Sequence, residues 1–265
     1  RRLFSGLSES FWKKRPRRPK GRRVFLVKCA GMWYDFVMQY CLSDPHGCYG
    51  VVCRLLEKIK FCERDTLYVL GDFIDKGPES VRLANLLFSL PNAVCIVGNH
   101  EYDFLKYYQG LMQRTTDYDG VLQKLRAYFP DGHLLDWDIV DRLEALPFFL
   151  EREDWIGVHS GLPLRADGTL LPLQQAIPEQ LVYDRRFKDP DVLPESDKCI
   201  LYGHTPVRYL TGRDEILFYP RNAPKSGTIA DYRKIHLDMM TSKSGVLGCV
   251  CIETCECFYA WDPKF

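Results

Sequence analysis

The sequence of 265 residues contains no uninterrupted apolar run near the roughly 18 residues that a membrane-spanning helix needs, so we expect no membrane association. It shows no internal repeat or low-complexity tract after residue 37, which argues against a repeat architecture. A convincing secretory signal is missing, since Lys28 interrupts the short apolar stretch after Arg23. The eleven cysteines are therefore expected to be reduced thiols in a cytoplasmic protein.

Charge is divided unevenly along the chain. Residues 1–23 carry ten Lys or Arg against one acid, whereas the remainder carries 26 basic and 34 acidic residues. We interpret residues 1–37 as a basic extension, either disordered or upstream of the true start at Met38; an organelle presequence is the other interpretation. Residues 38–265 are expected to form one monomeric domain, and a role for the arm in nucleic-acid binding is not favoured.

Hydrophobic periodicity predicts alternating elements in the first half, with strands at 37–42, 66–70 and 93–97 and helices at 49–60 and 79–90. Residues 101–146 read mostly as helix. Strands then dominate, at 155–158, 199–202, 216–219, 234–238, 246–252 and 255–261. We predict an α/β fold of four layers, in which two mixed sheets pack face to face and helices flank them.

Five short blocks place Asp, Asn or His directly after predicted strands. They are Ser43-Asp44-Pro45-His46-Gly47, Gly71-Asp72-Phe73-Ile74-Asp75-Lys76-Gly77, Gly98-Asn99-His100-Glu101, Val158-His159-Ser160-Gly161 and Tyr202-Gly203-His204-Thr205-Pro206. Any one of these polar residues would be unremarkable in a turn, but four of the six histidines fall in the blocks. Their joint occurrence indicates a shared site at the carboxyl ends of the strands.

The residue types suit a pair of divalent metal ions. Asp44 and His46 lie two apart, so an extended backbone would direct both side chains to one ion. Asp72 is the natural carboxylate to bridge two ions, and Asn99, His159 and His204 would complete the second. Such a pair, about 3.5–4 Å apart, can polarise a phosphoryl oxygen and activate a water molecule.

These blocks resemble the signature of the calcineurin-like metallophosphoesterases, specifically the phosphoprotein phosphatase branch, whose pattern reads GDxHG, GDxxDRG, GNHE, HSG and GH. The resemblance spans about 38–265. It implies that Asp44, His46 and Asp72 hold the first metal, and that Asp72, Asn99, His159 and His204 hold the second. The ions would be manganese, iron or zinc, with manganese expected in vitro.

The resemblance also makes His100 the general acid and Asp75 the carboxylate that orients it. A histidine paired with a carboxylate can stay protonated near neutral pH and supply the proton that a departing alkoxide needs. We expect in-line attack by a hydroxide that bridges the metals, without a covalent phosphoenzyme. No CxxxxxR loop is present that would support a cysteine nucleophile.

The sequence departs from the family pattern near the substrate phosphate. Lys76 replaces the usual arginine, which keeps the charge but loses the planar fork that grips two oxygens. Pro45 removes a backbone donor between two ligands, while Ser43 is expected to matter little. Asn99 and Arg185 are the further predicted phosphate contacts, with Arg186 as the alternative to Arg185.

Substrate choice is left open by the sequence. A Ser/Thr phosphoprotein phosphatase is placed first, a symmetrical bis(5'-nucleosyl)-tetraphosphatase second, and a non-catalytic scaffold last. The spacing Cys249, Cys251, Cys255 and Cys257 is poor for a zinc site, so we predict packing roles for these thiols.

Overall fold

The computed structural model describes residues 28–29, 32–33, 37–167, 169–194, 196–220 and 227–264. The predicted basic extension, residues 1–37, lies outside the described residues except at 28–29, 32–33 and 37. Lys28–Cys29 and Met32–Trp33 pair as a small antiparallel hairpin. The residues from Met38 to Phe265 form a compact unit of their own.

Ten strands and eight α-helices of this unit are described here. The strands are β1 Gln39–Leu42, β2 Thr66–Val69, β3 Ala93–Cys95, β4 Phe149–Glu151, β5 Trp155–Val158, β6 Cys199–Tyr202, β7 Leu217–Tyr219, β8 Lys234–His236, β9 Val246–Cys251 and β10 Cys257–Trp261. The helices are α1 Tyr49–Ile59, α2 Ser80–Ser89, α3 Asn99–Met112, α4 Tyr118–Arg126, α5 Trp137–Glu144, α6 Pro178–Tyr183, α7 Arg208–Thr211 and α8 Thr241–Ser244. Among the described residues, the helices all fall short of the length and apolar character needed to cross a membrane.

The strands form two five-stranded mixed sheets. The first has the order β10-β9-β1-β2-β3 and the second the order β4-β5-β6-β8-β7. In the first sheet β1, β2 and β3 run parallel, with β9 antiparallel to β1. In the second, β5, β6 and β8 are parallel, and β4 and β7 add antiparallel edges. The predicted α/β architecture of two mixed sheets flanked by helices is confirmed.

Apolar side chains from both sheets meet in one core. The rings of Tyr68 on β2 and Trp155 on β5 pack edge to face with centroids 4.8 Å apart. The opposite face of the second sheet buries Ile200 and Tyr202 against Leu181 of α6. Because each sheet is covered on both faces, the central strands are buried except at the half-buried first residues of β1, β2 and β9, as the near-continuous apolar runs predict.

Two details differ from the sequence-based expectation. The strand β4 was not predicted, because three residues beside a proline carry no periodicity. The last strand begins at Cys257 and not at Cys255, since Cys255 adopts a left-handed φ of 54° in the preceding turn. Cys249 and Cys251 are both buried in β9, as expected for packing residues.

The fold brings the five sequence blocks to one edge. They follow β1, β2 and β3 in the first sheet and β5 and β6 in the second, each at the carboxyl end of its strand. Parallel strands present their carboxyl ends on the same side, so blocks far apart in sequence converge there.

Candidate metal centre

The backbone around the centre is unusual. Non-glycine residues with a left-handed φ are concentrated here: Asp44 (57°), His46 (41°), Asp72 (53°), Asp75 (65°), Lys76 (61°) and His204 (67°). Each such residue costs on the order of 1–3 kcal/mol, and such costs cluster at functional sites. The expectation that Asp44 and His46 lie on extended backbone was therefore wrong, because a tight turn, and not a pleat, brings them together.

Hydrogen bonds between the loops that follow β1 and β2 fix these turns relative to each other. The amide of Asp44 donates to the Gly71 carbonyl at 3.2 Å, and the amide of His46 donates to the Asp72 carbonyl at 2.8 Å. The Asp44 carboxylate in turn accepts from the His204 amide at 3.0 Å, which ties the first sheet's loop to the second. A side chain at Gly203 would collide with Asp44, since a Cβ there would lie 2.1 Å from Oδ2.

Asp72 lies between two sets of metal-binding atoms. His46, Asp72 and His100 form one set and Asp72, His159 and His204 the other, with the atoms of each set within 4.8 Å of one another. The Asp72 carboxylate is 2% exposed and contributes one oxygen toward each side. Asp72 could therefore offer one oxygen to an ion on each side.

On the first side, His46 Nε2 is 3.6 Å from Asp72 Oδ2 and 3.9 Å from Asp44 Oδ1. The Lys76 ammonium lies 3.0 Å from the same His46 nitrogen. Lys76 therefore sits at the edge of the centre, where the sequence placed a phosphate contact, and presents its positive charge to the cluster.

On the second side, His159 Nε2 is 3.4 Å from Asp72 Oδ1 and 3.2 Å from Asn99 Oδ1. The other His159 nitrogen, Nδ1, lies 2.8 Å from the Leu70 carbonyl. This contact fixes the ring and directs Nε2 to the ligand side, as outer-shell contacts of metal-binding histidines do. The His204 ring is 5.0 Å from that of His159, centroid to centroid.

Electrostatics show that the cluster suits a cation. Burial alone would lower the pKa of His159, but the Asp72 carboxylate, with Asp44, raises it to about 10. Burial raises the pKa of Asp44 to about 6, and the neighbouring charge of Asp72 adds to that rise. The carboxylates thus create a strongly negative potential that favours positive charge between them.

Two of the histidines beside these carboxylates, His46 and His204, are held neutral by burial. Burial lowers the pKa of His46 to about 4 and that of His204 to about 2. Both buried ring nitrogens of His204 lack a hydrogen-bond partner among the described residues. Neutral imidazoles, carboxylates and one amide oxygen are a donor set for borderline divalent ions, so the residues fit the predicted pair of metals.

His100 is paired with Asp75 as predicted, with Nδ1 2.7 Å from Asp75 Oδ2. Burial would lower the pKa of His100, but the hydrogen bond that its ring donates to Asp75 and the charge of Asp72 raise it. The His100 amide donates to Asp72 Oδ1 at 2.9 Å, so the acid is attached to the bridging carboxylate. An imidazolium at this edge can deliver a proton to a leaving oxygen.

Glu101 is a site residue to which the sequence analysis gave no role. Its fully buried carboxylate accepts four backbone N–H groups: Asp72 at 2.7 Å, Phe73 at 2.9 Å, Ile74 at 3.0 Å and Gly98 at 2.8 Å. Burial, with the charge of Asp72, raises the pKa of Glu101 to about 7. The signal was available, because an acid at the third position of a helix typically accepts N–H groups at its start.

Ser43 was expected to matter little, but it contacts a predicted metal ligand. Its hydroxyl donates to Asp44 Oδ2 at 2.5 Å and is 3.2 Å from the Leu70 carbonyl. Ser43 therefore sets the orientation of a predicted ligand.

The two candidate arginines lie in different surroundings. Arg185 Nη1 donates to Thr205 Oγ1 at 3.2 Å and is 3.4 Å from the His204 carbonyl, so it reaches the centre. Arg186 is ion-paired with Asp184 and donates to the Leu164 carbonyl, away from the metal ligands. Arg185 is the arginine whose position matches the predicted phosphate contact.

Lys234 on β8 anchors the loop that follows Arg185. Its side chain is fully buried, and Nζ donates to the carbonyls of Phe187 (2.8 Å), Asp189 (2.6 Å) and Val192 (2.7 Å). Burial lowers the pKa of Lys234 to about 8, so at neutral pH the ammonium keeps the three protons that three carbonyls require.

Two groups of side chains that could each hold a divalent ion share Asp72, and they lie beside the His100–Asp75 pair. Divalent ions held here would supply Lewis acidity and a nucleophilic water. Residues 40–232 match the model of the calcineurin-like phosphoesterases, and the chain belongs to this family.

Two similar curated proteins carry the same name. A symmetrical bis(5'-nucleosyl)-tetraphosphatase of Delftia acidovorans is 31% identical over 174 residues, which cover 64% of this chain and 58% of the relative. The enzyme of the same name from Pseudomonas putida is 32% identical over 153 residues, covering 56% and 51%. The chain thus matches between half and three fifths of the length of these relatives.

Solved structures share the fold at low identity. A protein provisionally named a diadenosine tetraphosphatase superposes with a TM-score of 0.63 at 18% identity, over 86% of this chain and 95% of that one. A serine/threonine phosphatase from Saccharomyces cerevisiae superposes with a TM-score of 0.55 at 16% identity, over 86% and 81%. At these identities the likeness concerns the fold alone.

Proposed function

We propose that this protein is a two-metal hydrolase of dinucleoside tetraphosphates, which it cleaves symmetrically to two nucleoside diphosphates. The observation that carries the proposal is the Asp72-centred cluster on a chain whose curated relatives bear the tetraphosphatase name. These relatives favour the second of the two substrates considered from the sequence over a phosphoprotein. The six expected ligands are Asp44, His46, Asp72, Asn99, His159 and His204, with manganese as the ion to load first.

The protein's own residues take distinct roles in this proposal. Lys76 and Arg185 hold the phosphate oxygens, with Asn99 contributing from the metal side. His100, oriented by Asp75, donates a proton to the oxygen that leaves. Attack in line with that oxygen gives no covalent phosphoenzyme. We further propose that the enzyme acts in the cytoplasm as a monomer.

Substrate chemistry separates the two candidate activities. A phosphoserine or phosphothreonine releases an alkoxide, which needs a proton in the transition state. A tetraphosphate releases a nucleotide with a terminal phosphate group, and the second pKa of such a group is near 6. This leaving group is therefore stable as an anion at neutral pH. Dependence on His100 should therefore be weaker with the dinucleotide than with the phosphopeptide.

The test is a paired assay of the manganese-loaded protein with diadenosine tetraphosphate and a phosphothreonine peptide. We expect the specificity constant for the dinucleotide to be at least tenfold higher, about 1.4 kcal/mol of transition-state discrimination. ADP should be the sole nucleotide product. A mixture of ATP and AMP would contradict symmetrical cleavage. A tenfold preference for the peptide would instead establish a phosphoprotein phosphatase, and inactivity on both with metals bound would support a binding scaffold.

A further inference from the structure

Tyr183 is the last residue of α6 and lies beside the metal centre. Two residues before Tyr183, the Leu181 carbonyl accepts from the Ser160 amide at 3.1 Å, directly after the predicted metal ligand His159. Two residues after Tyr183, Arg185 reaches Thr205. The main chain at Tyr183 is thus placed between a metal ligand and the cation expected to bind phosphate.

The side chain of Tyr183 is fixed to the other wall of the centre. Its hydroxyl donates to Asp103 Oδ1 on α3. Asp103 is four residues after Asn99, so it lies about one helical turn, roughly 6 Å, from the start of the helix that carries Asn99 and His100. The Tyr183 ring therefore lies between two elements that each bear site residues.

Further contacts between α3 and α6 restrict the orientation of the Tyr183 ring. The rings of Tyr183 and Tyr102 pack edge to face, with centroids 6.1 Å apart and planes at 74°. The Tyr102 hydroxyl donates to Glu179 Oε1 of α6 at 2.5 Å. Two tyrosine–carboxylate hydrogen bonds thus cross between α3 and α6 in opposite directions, and they restrict both rings.

Despite these restraints, Tyr183 remains 37% exposed. A tyrosine that serves only to join two helices would be expected to bury its ring, because burial of that area is its main contribution to stability. Here a flat aromatic surface is immobilised and left open to solvent. Such a surface loses little entropy when a second ring stacks on it.

We propose that Tyr183 is the stacking surface for one nucleobase of the dinucleoside polyphosphate, an assignment that rests on the proposed function. The base would lie against the Tyr183 ring while the adjoining phosphates reach Arg185 and the metal edge. Stacking on an aromatic ring uses the flat face of the base and does not depend on the hydrogen-bonding groups along its edge. The site would therefore accept adenine and guanine alike.

The experiment compares Tyr183→Leu with Tyr183→Phe on diadenosine and diguanosine tetraphosphate. Leucine removes the ring, and we expect KM for both dinucleotides to rise about tenfold or more, the effect of losing one base–aromatic stack. Phenylalanine keeps the ring and loses only the Asp103 hydrogen bond, so KM should stay within about threefold. Inorganic tripolyphosphate, which has no base, should inhibit all variants with the same inhibition constant within about twofold.

Tyr107→Leu is the matched control. Tyr107, on α3, is another exposed tyrosine, with 41% of its surface accessible to solvent. It lies about two helical turns from Asn99. Its replacement should leave KM for the dinucleotides unchanged. Thermal melting of each variant checks that the helices remain folded.

The outcomes distinguish a failure of the Tyr183 assignment from a failure of the proposed function. If the wild-type protein does not hydrolyse dinucleotides, the proposed function fails and the nucleobase site fails with it. If the wild type hydrolyses them and Tyr183→Leu leaves KM unchanged, only the stacking assignment is overturned. An equal rise in the tripolyphosphate inhibition constant would also overturn it, because the ring would then act through the phosphate site.

Discussion

Replacing Glu101 by glutamine tests how the loops of the centre are held. The carboxylate oxygens each accept two N–H groups, Phe73 and Ile74 at one oxygen and Asp72 and Gly98 at the other. Glutamine keeps one oxygen and turns an NH₂ group toward the remaining two donors. Each buried donor left without an acceptor costs about 1–3 kcal/mol, so we expect a loss of about 2–5 kcal/mol. Full burial of Glu101 means that solvent cannot supply replacement acceptors.

The assay is urea denaturation of the metal-free and metal-loaded variant at constant pH. Glu144→Gln, at an exposed position of α5, is the control and should change stability by less than about 0.5 kcal/mol. We also expect metal affinity to fall about 10–100-fold. Glu101 holds the backbone amide of Asp72, so a shift of that amide would move the predicted ligand. A Glu101→Gln protein with unchanged stability and metal affinity would refute the reasoning.

Three other substitutions follow from the contacts of single residues. Ser43→Ala removes the hydroxyl that orients Asp44, and calorimetry should show metal binding weakened about tenfold; unchanged affinity would contradict the role given to Ser43. Lys234→Met leaves three buried carbonyls without a donor, and we expect a loss of about 2–4 kcal/mol in urea denaturation, less than the sum of the bonds because the buried charge is also removed. A variant as stable as the wild type would show that the loop does not depend on the lysine. Asp75→Asn removes the carboxylate that raises the pKa of His100, so the acid should lose its proton at a lower pH and the alkaline limb of the pH–rate profile should move down. The same substitution should slow a phosphopeptide about 100-fold or more and diadenosine tetraphosphate by less than about tenfold, and equal losses would argue against the leaving-group assignment.

Much of the centre could be predicted because each block is a short run of consecutive residues that the sequence itself reveals. Each block joins a buried strand to a polar loop, and parallel strands bring their carboxyl ends together whatever the intervening sequence. The meeting of Asp44, Asp72 and His159 follows from this rule without knowledge of the sheet order. The same rule accounts for the position of Asn99 and His100 at the start of α3.

The parts that were missed depend on contacts between distant residues or on backbone conformation. The left-handed φ of Asp44 and His46 could not be predicted from residue type, since even Asp and His, which are enriched at positive φ, rarely adopt it. Ser43 and Lys234 act through carbonyls and carboxylates that only the folded chain brings near. Lysine in a strand otherwise indicates an exposed position, and three backbone acceptors are what permits its burial.

Two strands that differ from the prediction are β4 and β10. The three residues of β4 cannot show an alternation, and their pairing with β5 is decided by the sheet as a whole. The late start of β10 results from the turn at Cys255. Neither error moves a site residue, because both strands lie at sheet edges away from the metal ligands.

The central claim is that the five blocks form one centre for two ions, and metal stoichiometry tests it most directly. Elemental analysis of dialysed, manganese-loaded protein should give two ions per wild-type chain. His204→Ala removes a ligand from the second side alone, and it should retain about one ion. A wild-type protein that binds a single ion, or a His204→Ala protein that still binds two with unchanged affinity, would contradict the account.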